Sequence, residues 1–81
     1  VLPPGERVLA GRSQEADIQL GDTFVSSKHA LFEVTEQGLV VEDLQSTNGT
    51  QVNGDDVEGP RLLHRGDRVE IGDTVFRVEL R

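Results

Sequence analysis

Apolar residues recur at every second position along much of this chain. In residues 29–35 (HALFEVT), Ala30, Phe32 and Val34 alternate with other side chains. In residues 74–80 (TVFRVEL), Phe76, Val78 and Leu80 share one face, while Val75 and Arg77 share the other. A period of two marks a half-buried strand. By this pattern, and by their β-branched content, residues 7–10, 17–20, 29–35, 39–44, 51–53, 68–71 and 74–80 are predicted strands. Turn chemistry separates them at Glu36-Gln37-Gly38, Asn48-Gly49, Asn53-Gly54, Arg65-Gly66-Asp67 and Gly72-Asp73, where glycine or asparagine takes positive φ at low cost. Nowhere do apolar residues keep a helical spacing over three turns. The expectation is an all-β antiparallel sandwich or barrel. Pro3-Pro4 cannot donate to a ladder, so Val1 and Leu2 form at most a stub of an edge strand. The first strand is therefore expected to be short or truncated.

Composition narrows the picture. A chain of 81 residues is one domain, and at this size it buries only a little over ~60% of its unfolded surface. With three phenylalanines and no Trp, Tyr or Met, its core must be built from Val, Leu and Ile, which suit a sheet. The absence of cysteine removes disulfides and cysteine metal sites and is compatible with a reducing compartment. No apolar run is long enough for a secretory core or a membrane span. The net charge of -7 argues against general binding to a nucleic-acid backbone. Any anion must therefore bind locally. No internal repeat, linker or low-complexity tract is evident.

Four loop features stand out between the strands: GRS at 11–13, SSKH at 26–29, STNGT at 46–50 and VNG at 52–54. Pairing of strands in sequence order would put the loops that follow alternate strands at one end, where Arg12, Ser26 and Thr47 can converge. An arginine fork, hydroxyls and free backbone N–H groups make a donor-rich pocket. A phosphate monoester suits it, with a charge of about -1.5 to -2 and three strong acceptor oxygens. The amide of Asn48 can clamp the backbone of an extended peptide.

Taken in order, GR, then S-x-K-H, then STNGT, then VNG resemble the pattern of forkhead-associated (FHA) domains, over residues 9–80. The resemblance implies a β-sandwich of that type, a single domain spanning 1–81 and cut from a longer protein, whose apical loops bind phosphothreonine peptides. It implies that Arg12 pairs with the phosphate, that the Ser26 hydroxyl contacts it with help from Ser27, and that Lys28 adds auxiliary charge. Thr47 lines the phosphothreonine pocket and Asn48 holds the peptide backbone. His29 braces the loops from behind, and Gly11, Gly49, Asn53 and Gly54 shape turns. The residue three positions after the phosphothreonine would meet Phe24 and Val25, which favour an apolar side chain, while Asp22 disfavours an acidic one. The implied role is phosphothreonine-dependent recognition in Ser/Thr kinase signalling, in the style of bacterial members, by a monomeric cytoplasmic domain or a cytoplasmic part of a larger protein. The phosphorylated partner is in trans or in the parent chain. No cofactor, metal, nucleic acid or membrane insertion is expected.

Other readings of the same residues exist. Arg12 can be a surface arginine paired with Glu15 or Asp17, Ser26 and Ser27 can cap a turn, and Asn48-Gly49 can be a turn and nothing more. A hydrolase built on Ser26, Ser27 and His29 lacks a sharp nucleophile turn and an oxyanion loop, so the chain is not expected to be an enzyme. The stronger rival is a phosphate-independent interaction or self-association scaffold that uses a sheet face or edge. His64 is expected to be exposed and uninvolved.

Overall fold

The alternating runs become strands whose apolar faces bury one another. The structure is a computed structural model and describes residues 5–21 and 23–79. Among these, the strands are β1 (Arg7–Gly11), β2 (Ile18–Gln19), β3 (Ala30–Thr35), β4 (Gly38–Asp43), β5 (Thr50–Val52), β6 (Asp55–Asp56), β7 (Arg61–Leu62), β8 (Arg68–Ile71) and β9 (Thr74–Arg77). One sheet has the order β2-β1-β3-β4-β7 and the other the order β6-β5-β8-β9. Every pair is antiparallel except β1 with β2, whose short parallel register sets Ala10 against Ile18 and Gly11 against Gln19. The described residues contain no helix. The class is the all-β sandwich that the alternation predicts.

Pairing does not follow sequence order. β4 pairs with β7, not β5, and β5 pairs with β8. After β4 the chain crosses to the second sheet, returns for β7 and crosses again. Two strands escaped the hydrophobic pattern. β6 consists of two aspartates, which have poor strand propensity. It forms because Asn53 and Gly54 both take positive φ, at 53° and 86°, making a two-residue hairpin turn that sets Val52 against Asp55. β7 is two residues long and follows Pro60, too short for any period to show. Val1, Leu2 and Leu80 lie outside the described residues, and so does Asp22.

The core lies between the sheets. Ala10, Ala30, Phe32 and Val41 face Val52, Val69, Ile71 and Val78, and Val25, Val57 and Leu63 close the edges. Phe32 and Phe76 meet edge to face across the layers, with centroids 6.2 Å apart and rings inclined at 67°, the geometry that aromatic quadrupoles favour. Val75 points outward and is 58% exposed, as the alternation of residues 74–80 requires.

At the far end of β5 a polar clamp replaces apolar packing. The Asn53 backbone N–H donates to Arg68 O at 2.8 Å, and Asn53 Oδ1 accepts from Arg68 N–H at 2.9 Å. Asn53 Nδ2 donates to Asp67 Oδ1 at 3.0 Å, and Asp67 Oδ2 accepts the His64 backbone N–H at 2.7 Å. The His64 N–H, the Asn53 amide and the nearby charges of His64 and Arg61 hold the Asp67 carboxyl below its ordinary value, against an opposing push from burial. Because the folded state binds this proton less readily, ionised Asp67 contributes fully above its ordinary value of 3.8. That contribution is lost as the pH falls from there through the lower folded value. Urea midpoints of the protein and of Asp67→Asn, compared between about pH 2 and 6, should therefore differ by a constant gap near pH 6 that closes in the acid range. A gap independent of pH would contradict this assignment.

Candidate functional site

The end of β1 does not stop at its strand register. Gly11 lies so close to the loop before β3 that a Cβ there would sit 2.2 Å from the Ser27 carbonyl oxygen and 2.8 Å from its carbon. This contact lets the Arg12 N–H donate to Ser26 O at 3.0 Å and the Ser13 N–H donate to Ser27 O at 3.1 Å. One step back, the His29 N–H donates to Ala10 O at 3.0 Å. Beyond the last β1–β3 ladder pair, Ala10 with Ala30, these bonds lace the GRS and SSKH segments together and set Arg12 beside Ser26.

His29 is fully buried. Its Nδ1 accepts the Ser26 backbone N–H at 3.1 Å, so the ring proton belongs on Nε2, which donates to Gly49 O at 2.7 Å. One imidazole therefore ties the 24–29 loop to the 44–49 loop. Two further bonds stitch the same loops together. The Thr47 N–H donates to Ser26 Oγ at 3.0 Å, and Asn48 Nδ2 donates to Phe24 O at 2.8 Å.

The 44–49 loop is shaped by Asp43 at the end of β4. Its Oδ1 accepts the Ser46 hydroxyl at 2.5 Å and the Thr50 hydroxyl at 2.8 Å, while Oδ2 accepts the Ser46 N–H at 3.1 Å. Ser46 Oγ in turn accepts the Gly49 N–H at 3.0 Å. Gly49 holds φ at +81°, which presents its carbonyl to His29 and which a side chain would strain. Sequence reasoning missed Asp43 and assigned no role to Ser46 and Thr50, although both lie within the STNGT motif. The Asp-x-x-Ser spacing is a local turn signal that could have flagged the first two, but the motif does not show that Thr50 bonds to Asp43 across the sheets.

Together these loops form an open cleft of about 340 Å³ lined by Arg12, Ser26, Ser27, Thr47 and Asn48, together with Thr23, Phe24 and Val25. Arg12 is exposed. Among the described residues it makes no ion pair with Glu15 or Asp17, and Asp17 Oδ2 instead accepts the Leu9 N–H at 2.8 Å. The Ser26 oxygen is occupied by the Thr47 N–H, which leaves its own proton to donate outward. A guanidinium fork and several hydroxyls facing one opening suit a compact anion with several acceptor oxygens.

The remaining predicted site residues divide. Lys28 is exposed on the same loop and does not line the cleft. Phe24 is 54% exposed, whereas Val25 is 2% exposed and belongs to the core. Val25 therefore packs in the thin core while also lining the cleft wall. Asn53 and Gly54 shape the hairpin at the opposite end of β5, away from the cleft. His64 is exposed, as expected, with its side chain 75% accessible. A serine–histidine dyad is absent, because Nδ1 of His29 receives a backbone N–H and Nε2 donates to a carbonyl. No lone pair remains for general-base work.

The pattern of the FHA domain family matches residues 8–72. The chain belongs to the FHA domain family. It is 44% identical over 71 residues to the mouse (Mus musculus) proliferation marker protein Ki-67, an alignment that covers 88% of this chain and 2% of Ki-67. The chain thus spans a small fraction of that relative's length. Among solved structures, it superposes on the FHA domain of the CT664 protein of Chlamydia trachomatis with a TM-score of 0.92 and 32% identity, covering 99% of this chain and 81% of the other. It also superposes on the N-terminal FHA domain of S. cerevisiae Rad53p in complex with a phosphothreonine peptide, with a TM-score of 0.74 and 35% identity, covering 83% of this chain and 56% of that one.

The close approach at Gly11 in this FHA domain gives a direct test. Gly11→Ala forces a methyl into backbone that has no slack, and it should lower stability by about 1–3 kcal/mol. Gly21→Ala, where nothing lies within 4 Å of the added carbon, should change it by less than about 0.5 kcal/mol. Urea denaturation of the pair checks this, and equal effects would argue against the Gly11–Ser27 contact.

Proposed function

We propose that this FHA domain binds a phosphothreonine-bearing segment of a protein in the Arg12 cleft, as a reader in Ser/Thr kinase signalling and without catalysing a reaction. The observation that carries this reading is the convergence of Arg12, Ser26, Ser27, Thr47 and Asn48 on one opening. The Rad53p FHA domain in its phosphothreonine-peptide complex supports it. FHA domains are binding modules.

In this reading, Arg12 and the Ser26 hydroxyl grip the phosphate oxygens, Ser27 and Thr47 complete the donor set, and Lys28 contributes charge from outside the cleft. Asn48 spends one N–H on Phe24 O. Its carbonyl oxygen and second N–H are directed to the backbone of an extended peptide. Preference for threonine over serine comes from seating the γ-methyl group, worth roughly 0.8 kcal/mol by burial alone. Large discrimination therefore also depends on the fixed loop geometry. Few contacts offset the ordering of a flexible segment, so micromolar affinity is expected. The partner lies in another protein or elsewhere in the parent chain, and the reading carries a cytoplasmic address, where protein kinases draw on ATP.

Charge-assisted hydrogen bonds contribute about 1.5–3 kcal/mol each, so Arg12→Ala should weaken binding to phosphothreonine peptides at least about tenfold. Fluorescence anisotropy with a degenerate phosphothreonine library, against matched phosphoserine and unphosphorylated libraries, checks this. Saturable binding of the phosphothreonine set alone, lost in Arg12→Ala, is the expected result. Equal binding of all three sets would replace this reading with a phosphate-independent scaffold.

A further inference from the structure

Phe24 and Asn48 belong to two openings at once. Besides the Arg12 cleft, they line a neighbouring open cleft of about 250 Å³ whose other walls include Gln51, Glu70 and Asp73. Its floor is the outer face of the second sheet. Val69 and Ile71 are buried, so the strand alternation turns Glu70 outward, in register with Gln51 on β5 and Val75 on β9. The Gln51 amide donates to Asp56 Oδ1 at 3.1 Å, away from Glu70. Among the described residues, nothing forms an ion pair or hydrogen bond with the Glu70 carboxylate. The half-exposed ring of Phe24 stands at the boundary between the two clefts.

The surface therefore changes sign along one path, from the guanidinium of Arg12 across Phe24 to the carboxylates of Glu70 and Asp73. An extended peptide advances about 3.3 Å per residue. With its phosphate beside Arg12, a side chain within about four residues reaches the second cleft. A lysine or arginine there meets a carboxylate with its head, while its methylene stem lies along the Phe24 ring. A cation against an aromatic face is also favourable in its own right. An acidic side chain meets like charge.

We propose that this second cleft selects a lysine or arginine on the same phosphopeptide and disfavours aspartate and glutamate. The inference rests on the reading of the Arg12 cleft as the phosphothreonine site and adds a cationic requirement to it. It also revises the expectation of an apolar neighbour, which read only the loop and not the sheet beneath it.

The test is a set of alanine-flanked phosphothreonine peptides that carry a single lysine or a single glutamate at each position from four before to four after the phosphothreonine. Affinities are measured against the protein and against Glu70→Lys. At one position, lysine should bind more tightly than alanine by about two- to fivefold, and glutamate more weakly, with the ratio shrinking as salt rises. Glu70→Lys should bring the lysine-to-alanine ratio at that position to about one or below. A lysine gain equal at every position would show only general attraction to an acidic domain and would overturn the proposal. Equal affinities for lysine, alanine and glutamate throughout, with phosphate dependence intact, would overturn it while leaving the phosphothreonine reading standing. Loss of phosphate dependence would overturn both.

Discussion

The two nitrogens of a buried imidazole hold the working end of this domain together. His29 enters β3 in the first sheet, and Gly49 leads into β5 in the second. The bond between them therefore joins two loops and two layers at once. Its partner bond, from the Ser26 N–H to Nδ1, sets the tautomer and with it the direction of the other. Leaving either buried ring nitrogen unpaired would cost about 1–3 kcal/mol. The loop positions are accordingly determined from both sides. The bond from the Thr50 hydroxyl to Asp43 crosses the same gap between the sheets. Arg12, Thr47 and Asn48 can be exposed and still ordered because the groups behind them are buried and paired.

This arrangement answers a constraint of size. A chain of 81 residues cannot spare apolar volume to pack its loops from beneath, and its core consists largely of single layers of valine, leucine and isoleucine with two small alanines, Ala10 and Ala30, directly opposite each other. Polar lacing does at the apex what apolar packing does in larger domains. Val25 shows the competition: it lines the cleft beside Phe24, yet its side chain is packed in the core. At the other end, the Asn53–Asp67 clamp performs a purely structural task with similar chemistry. The cleft and this clamp thus lie at opposite ends of β5.

Charge is organised on the same scale. Net charge of -7 sets a poor background for an anion, but charges at an exposed surface are screened beyond about 8 Å at physiological salt. What a phosphate would meet is the local donor set around Arg12. Across the Phe24 and Asn48 that the two clefts share, the sign reverses toward Glu70 and Asp73, so the overall balance is a poor guide to either cleft.

Much of this was legible in the sequence. Alternation along residues 29–35 and 74–80 specifies which face of each strand is buried, because a side chain's face is decided by its own position in the pleat. The ordered motifs specify the family and the residues that meet at the apex, because turn chemistry and donor groups are properties of short segments. Three-dimensional closure decided the rest. β6 and β7 exist only because a hairpin turn and a partner strand impose extended backbone on residues with no strand pattern. The pairing of β4 with β7, the support of the apical loops by Asp43 and Thr50, and the placement of Glu70 beside Phe24 depend on which segments meet when two sheets stack. A linear pattern records each residue's own face and chemistry, but its neighbours across the sandwich are set by the packing of the whole chain.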